Sequence, residues 1–217
     1  LMQKMGVEVK QINKNKYSFK AENIDLNYIG SADYNKRCTS LRGSVMLLGP
    51  ILARFKSAIL PQPGGDKIGR RHLDTHFLGF TKLGAKFQYE AENSLYRITA
   101  EELKGTYMLL DEASVTGTAN IIMAAVLAEG KTTIYNAACE PYLQQLCKML
   151  VNMGAKIEGM GSNLLYITGV KELKGCTHTV LPDMIEVGSF IGIAAMTGSK
   201  LRIKNVSVEN LGIIPDS

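Results

Sequence analysis

The chain has 217 residues, of which 46% are hydrophobic and 21% are charged, and its formal net charge is +5. This composition predicts a globular protein with a sizeable core, and no apolar run approaches the ~18 residues that cross a bilayer. The lysines are scattered and form no basic stripe interleaved with aromatics, so we expect neither a nucleic-acid partner nor a membrane. Four cysteines without a CxxC pair, and a start without a signal-peptide pattern, indicate reduced thiols in the cytoplasm.

An internal repeat organises the chain. The segment Leu83–Phe87 returns 70 residues later as Met153–Ile157, and more faintly near the start as Met5–Val9. A second pair of similar segments, Ile98–Gly105 and Ile167–Gly175, keeps the same spacing. Such self-similarity is typical of a fold built from one repeated supersecondary unit. The glycine in each copy of the Leu83–Phe87 segment is expected to end a helix in a left-handed C-cap.

In chain order, three apolar runs predict buried helices, each followed by a lysine and a strand-like stretch; they are Val45–Ala53, Asn120–Ala128 and Phe190–Met196. The third unit is predicted in full, because strand Thr132–Asn136, helix Pro141–Met153 and strands Lys156–Gly159 and Leu164–Thr168 follow its first helix. The first copy lacks its opening helices, and the fourth stops after one helix and one strand. We therefore expect a chain cut through a repeat at both ends, with a boundary near residue 181.

The segment Pro61–His76, between a strand and a helix, is the densest in functional residue types. Its glycines predict a turn-rich loop, and Arg70 and Arg71 offer forked donors for phosphate or carboxylate. A solvated loop with surface arginines is the alternative. His72, Asp74 and His76 suggest a metal site but lack a fourth ligand, so helix capping and surface packing are favoured for them.

A second candidate site is the segment Leu109–Asn120, which passes from a strand into a helix through hydroxylated residues. Free backbone N–H groups at such a helix start, with Ser and Thr hydroxyls, suit an anion or a diphosphate, although ordinary N-capping explains the same residues. The segment Thr39–Ser44 is its equivalent in the preceding unit and adds Arg42 at a helix start. Alone, that arginine is as compatible with a solvated charge.

At these positions the chain resembles the UDP-N-acetylglucosamine enolpyruvyl transferases. The resemblance is carried by five ordered motifs along essentially the whole chain, at 41–50, 63–76, 113–118, 136–141 and 181–186. It implies an α/β fold, an inside-out barrel of repeated βαβαββ units, with residues 1–181 forming part of one lobe and residues 182–217 beginning another. It also implies transfer of the enolpyruvyl group of phosphoenolpyruvate to the 3-hydroxyl of UDP-N-acetylglucosamine, without a metal or an organic cofactor.

Carried over residue by residue, the resemblance implies a UDP-sugar site made of Arg42, Arg71, His72, Leu73, Asp74, Thr75, Glu112, Ala113, Ser114 and Val115. Glu112 departs from the lysine of some members. Asp66 stands where most members carry the cysteine that donates a proton and reacts with fosfomycin, and it is the predicted catalytic acid. Because the family's Lys-Asn pair for phosphoenolpyruvate and most of the second lobe are absent, we expect this chain to be inactive alone. A shikimate-type enolpyruvyl transferase and a non-catalytic anion-binding module are the alternatives.

Overall fold

The third repeat unit is complete in the computed structural model, which describes residues 1–65, 72–92 and 94–214. Numbered along the chain, its elements are β6 (Tyr107–Leu109), α4 (Val115–Ala125), β7 (Lys131–Tyr135), α5 (Pro141–Asn152), β8 (Lys156–Glu158) and β9 (Leu164–Thr168). The four strands form one sheet in the order β6-β7-β9-β8, in which β6 and β7 are parallel and the other neighbouring pairs are antiparallel. The predicted βαβαββ unit is confirmed.

The preceding unit repeats the later part of this arrangement. It contains α1 (Ala32–Thr39), a 3-10 helix (Arg42–Leu47), α2 (Leu48–Phe55), β3 (Ser57–Pro61), α3 (Asp74–Lys82), β4 (Lys86–Glu90) and β5 (Leu95–Thr99). Its sheet has the order β3-β5-β4, which corresponds to β7-β9-β8. Nearer the start, β1 (Glu8–Asn13) and β2 (Lys16–Lys20) form an antiparallel hairpin equivalent to β4 and β5.

The glycine before each hairpin ends its helix or turn in the same way. Gly6, Gly84 and Gly154 have φ angles of +91°, +97° and +105°, a left-handed conformation that other residues adopt at a cost. The residue after each glycine donates its backbone N–H to the carbonyl five residues earlier, at 3.1, 2.9 and 2.9 Å respectively. This is the Schellman pattern, so the predicted C-caps are confirmed in all three copies.

The core lies where α2, α3 and α4 pack together between the two larger sheets. Leu48, Leu52, Ile121 and Ile122 are at most 1% exposed. A glycine at position 49 permits the close approach of α2 to α4, because a Cβ there would lie 2.5 Å from the backbone oxygen of Asn120. The apolar runs that predicted these two helices are therefore buried as expected, although the first begins as a 3-10 helix.

Two predictions for the C-terminal segment are wrong. The predicted buried helix Phe190–Met196 forms within α6 (Met184–Thr197), but of that helix Val187 alone is buried. The predicted strand after Lys200 does not form, and residues 199–206 are irregular. A strand needs a neighbouring strand to bond with, and an apolar helix is buried by what packs on it. In the described part of the chain no strand pairs with residues 199–206, and α6 is covered in one place, where Ile214 lies against Gly188. None of the described helices is long and apolar enough to cross a membrane.

Candidate functional site

Three helix starts meet at the edge of the sheets where β3 and β6 end. The loop after β3 passes over the end of α1, since a Cβ on Gly64 would collide with the backbone of Thr39. The next residue, Gly65, lies against Arg42, whose Cβ would be 3.0 Å from a Cβ at position 65. The glycine loop and the 3-10 helix that starts at Arg42, which belong to two of the segments predicted from the sequence, are thus in direct contact.

Arg42 begins the 3-10 helix and is half-buried. Burial lowers the pKa of His76 and the positive charge of Arg42 adds to that effect, whereas burial raises the pKa of Tyr96 and Arg42 opposes the increase. The charge of Arg42 therefore acts on groups at the start of α3 and on β5. This position differs from that of an isolated solvated arginine, and it suits a group that binds an anion between the helix starts.

At the start of α3, predicted site residues alternate between surface and core. His72 and Asp74 are exposed, and the His72 Nδ1 atom lies 3.0 Å from Asp74 Oδ2. Leu73 and Thr75 are buried, so a ligand at the surface would meet backbone at these two positions. The helix has no side-chain cap, and hence the capping role predicted for His72 and Asp74 is wrong. Asp74 instead lies in the first turn, where a negative charge is favourable.

The start of α4 lies beside that of α3. Ser114 is the N-cap, and its Oγ accepts a hydrogen bond from the backbone N–H of Gly117 at 3.2 Å, as the capping alternative predicted. The buried Thr75 hydroxyl donates to Glu112 Oε1 at 3.2 Å, which joins the segment before α4 to α3. The exposed carboxylate of Glu112 is therefore held by a neutral donor.

Directly beneath the helix starts lies a network of buried polar side chains centred on Asn120, which is fully buried. Its Oδ1 accepts from the backbone N–H of Gly49 at 2.9 Å, and its Nδ2 donates to the Val45 carbonyl at 2.9 Å. The same Nδ2 lies 2.9 Å from His76 Nδ1, and His76 Nε2 lies 3.3 Å from Thr116 Oγ1. These contacts connect the 3-10 helix, α2, α3 and α4.

The network also defines the protonation state of His76. Gly49 and Val45 together orient the Asn120 amide, so its NH₂ group faces His76 Nδ1, which must accept. The proton of the neutral ring is then on Nε2 and is donated to Thr116. Burial, with a smaller effect of the Arg42 charge, lowers the pKa of His76 to about 4. His76 is 2% exposed, so the surface-packing role predicted for it is wrong.

His76 faces Asn120 and Thr116, whereas His72 pairs with Asp74, so the three candidate metal ligands do not converge. Among residues 1–65, 72–92 and 94–214, no three His, Cys, Asp or Glu side chains are grouped as a metal ion would require. Two predicted site residues, the catalytic Asp66 and the ligand-binding Arg71, lie outside the described residues. Arg42, His72–Thr75 and Glu112–Val115 are brought to one edge.

Sequence reasoning missed two residues of this region. Asn120 was included only as the end of the candidate segment Leu109–Asn120 and the start of an apolar helix, without a role of its own, and a lone amide in such a run was the available signal. Tyr96 lies on β5; its pKa is raised by burial, by Tyr89 and by the charge of Asp74, and lowered by Arg42. The charges of Asp74 and Arg42 therefore both act on the Tyr96 hydroxyl, and no sequence pattern indicated this.

The arrangement presents backbone N–H groups of two helix starts, a half-buried guanidinium and several hydroxyls at one edge. Helix starts carry a partial positive charge, and together with an arginine they favour a negatively charged ligand such as a diphosphate. Among the described residues of this edge, the ionisable groups at the surface, His72, Asp74 and Glu112, are exposed. The buried His76 is bonded to Asn120 and Thr116. The chemistry that this edge supports is binding and orientation of an anion.

Two solved structures that share this fold are the following. The chain superposes on the enolpyruvyl transferase NikO from Streptomyces tendae with a TM-score of 0.69, at 20% identity over 87% of this chain and 44% of that one. EPSP synthase from Acinetobacter baumannii gives a TM-score of 0.65, at 21% identity over 95% of this chain and 46% of that one. The predicted α/β fold of repeated units is confirmed.

The family described as EPSP synthase (3-phosphoshikimate 1-carboxyvinyltransferase) matches residues 1–214, and the chain belongs to that family. Its relatives include proteins named UDP-N-acetylglucosamine 1-carboxyvinyltransferase from Bacteroides fragilis (70% identical), Bacteroides thetaiotaomicron (68%) and Porphyromonas gingivalis (64%). Each match covers all of this chain and 50% of the relative. The chain therefore spans about half the length of the curated relatives it matches.

Proposed function

We propose that this chain is part of an enzyme that transfers the enolpyruvyl group of phosphoenolpyruvate to the 3-hydroxyl of UDP-N-acetylglucosamine, a step of cell-wall peptidoglycan synthesis. The observation that carries the proposal is the identity of 64 to 70% along all 217 residues with relatives named for the UDP-sugar reaction. The geometry supports it, because the described residues among those assigned to the UDP-sugar lie at one edge that suits an anion.

The proposed roles come from the resemblance, and the contacts of the described residues support them. Arg42 and the N–H groups at the start of α4 neutralise the diphosphate, with Ser114 and Val115 providing the backbone of that turn. His72–Thr75 contact the nucleotide from the start of α3, where Leu73 and Thr75 offer backbone groups, and the resemblance adds Arg71, which lies outside the described residues. Glu112 and Ala113 border the diphosphate, and the hydrogen bond from Thr75 holds the Glu112 carboxylate in place.

Asp66 is the proposed proton donor to the methylene carbon of phosphoenolpyruvate. A free aspartate, with a pKa of ~3.9, has lost its proton near neutral pH, so this role requires a site that favours the protonated form. Epoxides such as fosfomycin inactivate by alkylating a thiolate, a much better nucleophile for this reaction than a carboxylate. We therefore expect an enzyme with Asp66 to resist fosfomycin.

We further propose that residues 1–181 belong to one lobe and residues 182–217 to the next, with the substrates held between lobes. Support comes from Asp183, whose Oδ1 caps α6 at the Ile185 N–H, so that a new helix starts beyond the irregular segment 169–183. The cytoplasm is the proposed location, in line with the free cysteines Cys38, Cys139, Cys147 and Cys176.

The test uses a full-length enzyme carrying this sequence, with phosphate release as the measurement. We expect turnover with phosphoenolpyruvate and UDP-N-acetylglucosamine, and none when shikimate 3-phosphate replaces the UDP-sugar. Arg42→Lys should lower kcat/KM roughly 10- to 100-fold, because a charge-assisted bond is worth about 1.5–3 kcal/mol and lysine cannot reproduce a forked contact. Asp66→Cys should remain active and gain a covalent fosfomycin adduct by mass spectrometry.

The matched control is Arg54→Lys, the same exchange at an exposed arginine near the end of α2 that lies over Phe55. It should leave kcat/KM unchanged. Turnover with shikimate 3-phosphate would replace the proposal by the shikimate-type activity. Binding of UDP-N-acetylglucosamine without turnover would favour a non-catalytic module, and fosfomycin labelling of the unmodified enzyme would refute the role of residue 66 in resistance.

A further inference from the structure

We propose that Asn120 and His76 are positioning residues that hold the three ligand-binding helix starts in register, so that UDP-sugar affinity depends on two side chains that the ligand does not touch. This inference rests on the proposed function. The observation behind it is that the hydrogen bonds of the Asn120 network together reach all three of the helices whose starts form the site.

The connections are direct. The Asn120 amide bonds Val45 and Gly49, at the end of the 3-10 helix that Arg42 begins and at the start of α2. It also bonds His76, one residue after Thr75 in the first turn of α3. His76 in turn bonds Thr116, two residues after the N-cap of α4. A displacement of one helix start relative to another must therefore stretch or break a bond of this network.

Burial separates this role from direct contact with a ligand. Asn120 is fully buried and His76 is 2% exposed, whereas Thr116 reaches the surface. A buried amide without partners costs roughly 1–3 kcal/mol, and here both polar atoms of Asn120 are bonded. The polar side chain at position 120 is therefore explained by the groups that it orients, Val45, Gly49 and His76.

The two ring nitrogens of His76 allow the two arms of the network to be tested separately. An asparagine at position 76 can place its oxygen near the former Nδ1 and accept from Asn120, but it does not reach Thr116. A glutamine can place its amide near the former Nε2 and donate to Thr116, but it loses the bond to Asn120. If the relative positions of the three helix starts depend on the continuous network, either change should weaken ligand binding.

The experiment measures UDP-N-acetylglucosamine affinity by calorimetry, and both Michaelis constants, in the full-length enzyme. We expect His76→Asn, His76→Gln and Thr116→Val each to raise the Kd and KM for the UDP-sugar about 3- to 10-fold, which is the value of one neutral hydrogen bond. The KM for phosphoenolpyruvate and kcat should change less than twofold. The double variant with His76→Asn and Thr116→Val should be no weaker than either single variant, because both remove the same bond.

The matched control is Tyr34→Phe. The fully buried Tyr34 hydroxyl donates to the Ile59 carbonyl at 2.9 Å, so this variant also loses one internal hydrogen bond, but one that joins α1 to β3 and is not part of the Asn120 network. It should lower the melting temperature as much as His76→Asn without changing the Kd. If the His76 variants lose only stability, as Tyr34→Phe does, the positioning role is overturned. If Thr116→Val still weakens binding in the His76→Asn background, Thr116 contacts the ligand directly and the coupling is refuted.

Failure of the proposed function would be visible separately. A wild-type enzyme that releases no phosphate with UDP-N-acetylglucosamine but does so with shikimate 3-phosphate contradicts the proposed substrate. The same variants, assayed with the substrate that is used, would then still decide whether the network positions the site. An increase in KM confined to the anionic acceptor would support the positioning role, and unchanged constants would overturn it.

Discussion

Helices α4 and α6 occupy equivalent places in successive repeat units and have similar sequences, yet one is buried and the other exposed. Both are rich in small and apolar residues, and both begin at a side-chain cap, Ser114 or Asp183. In α4, eight of eleven residues are buried. In α6, Val187 is the single buried residue among fourteen, and Met196 is 89% exposed.

The difference shows that the burial of an apolar helix depends on the elements that pack on it and not on its own sequence pattern. Helix α4 is enclosed because α2 and α3 pack on it and because its polar residue Asn120 finds three partners. Helix α6 has no comparable neighbours among the described residues. Substitutions with the same chemistry should therefore have large effects on stability near α4 and small or opposite effects in α6.

The largest effect is expected from Gly49→Ala at the contact between α2 and α4. The added Cβ would lie 2.5 Å from the Asn120 backbone oxygen and 2.9 Å from its Oδ1, so the helices must separate. Overpacking costs up to about 3 kcal/mol and loss of the bond from Gly49 to Asn120 about 1 kcal/mol more. We expect a decrease of about 4 kcal/mol in the free energy of unfolding, measured with urea. A decrease below about 1 kcal/mol would contradict this packing.

A smaller effect, dependent on pH, is expected from His76. Its pKa is lowered to about 4 in the folded protein from 6.5. Between these values the unfolded chain binds a proton that the folded protein excludes, so stability is complete above pH 6.5 and decreases as the pH falls towards 4. The total loss is on the order of 2–3 kcal/mol.

The measurement for His76 is urea unfolding of the wild type and of His76→Asn from pH 8 to pH 4. Carboxylates contribute to both profiles at low pH, so the difference between them isolates the histidine. That difference should be constant above pH 7 and should shift in favour of the asparagine variant below it. Parallel profiles would show that His76 accepts a proton as easily in the folded protein as in the unfolded chain.

The third repeat unit was predictable almost element by element, because its second helix and its strands carry regular patterns and end at strong signals. The Met153–Gly154 cap and Pro141 at the first turn of α5 are examples. The C-terminal predictions failed because pattern indicates what an element can bury, while actual burial depends on contacts that sequence does not contain. The strand expected after Lys200 is the clearest case.

The candidate site was predictable by segment but not by side chain. Ser114 was predictable as a helix cap because a hydroxyl at a helix start has a known use, whereas Arg42 and Asp74 were assigned to the site by the resemblance. The Asn120 network joins residues 40 to 75 positions apart in sequence, and only the packing of the helices brings them together. For the same reason, the sequence placed His76 on the surface, although it lies in the core.

The smallest effect is expected from Gly192→Ala in the middle of α6. An added Cβ at Gly192 would meet nothing within 4 Å, and alanine is favoured over glycine in a helix by roughly 0.5–1 kcal/mol. We therefore expect the 217-residue chain to gain up to about 1 kcal/mol of local helix stability. Slower amide hydrogen exchange in α6, with unchanged exchange in α4, would show it. Faster exchange in α6 would mean that another surface covers this face of the helix, and the contrast with α4 would no longer hold.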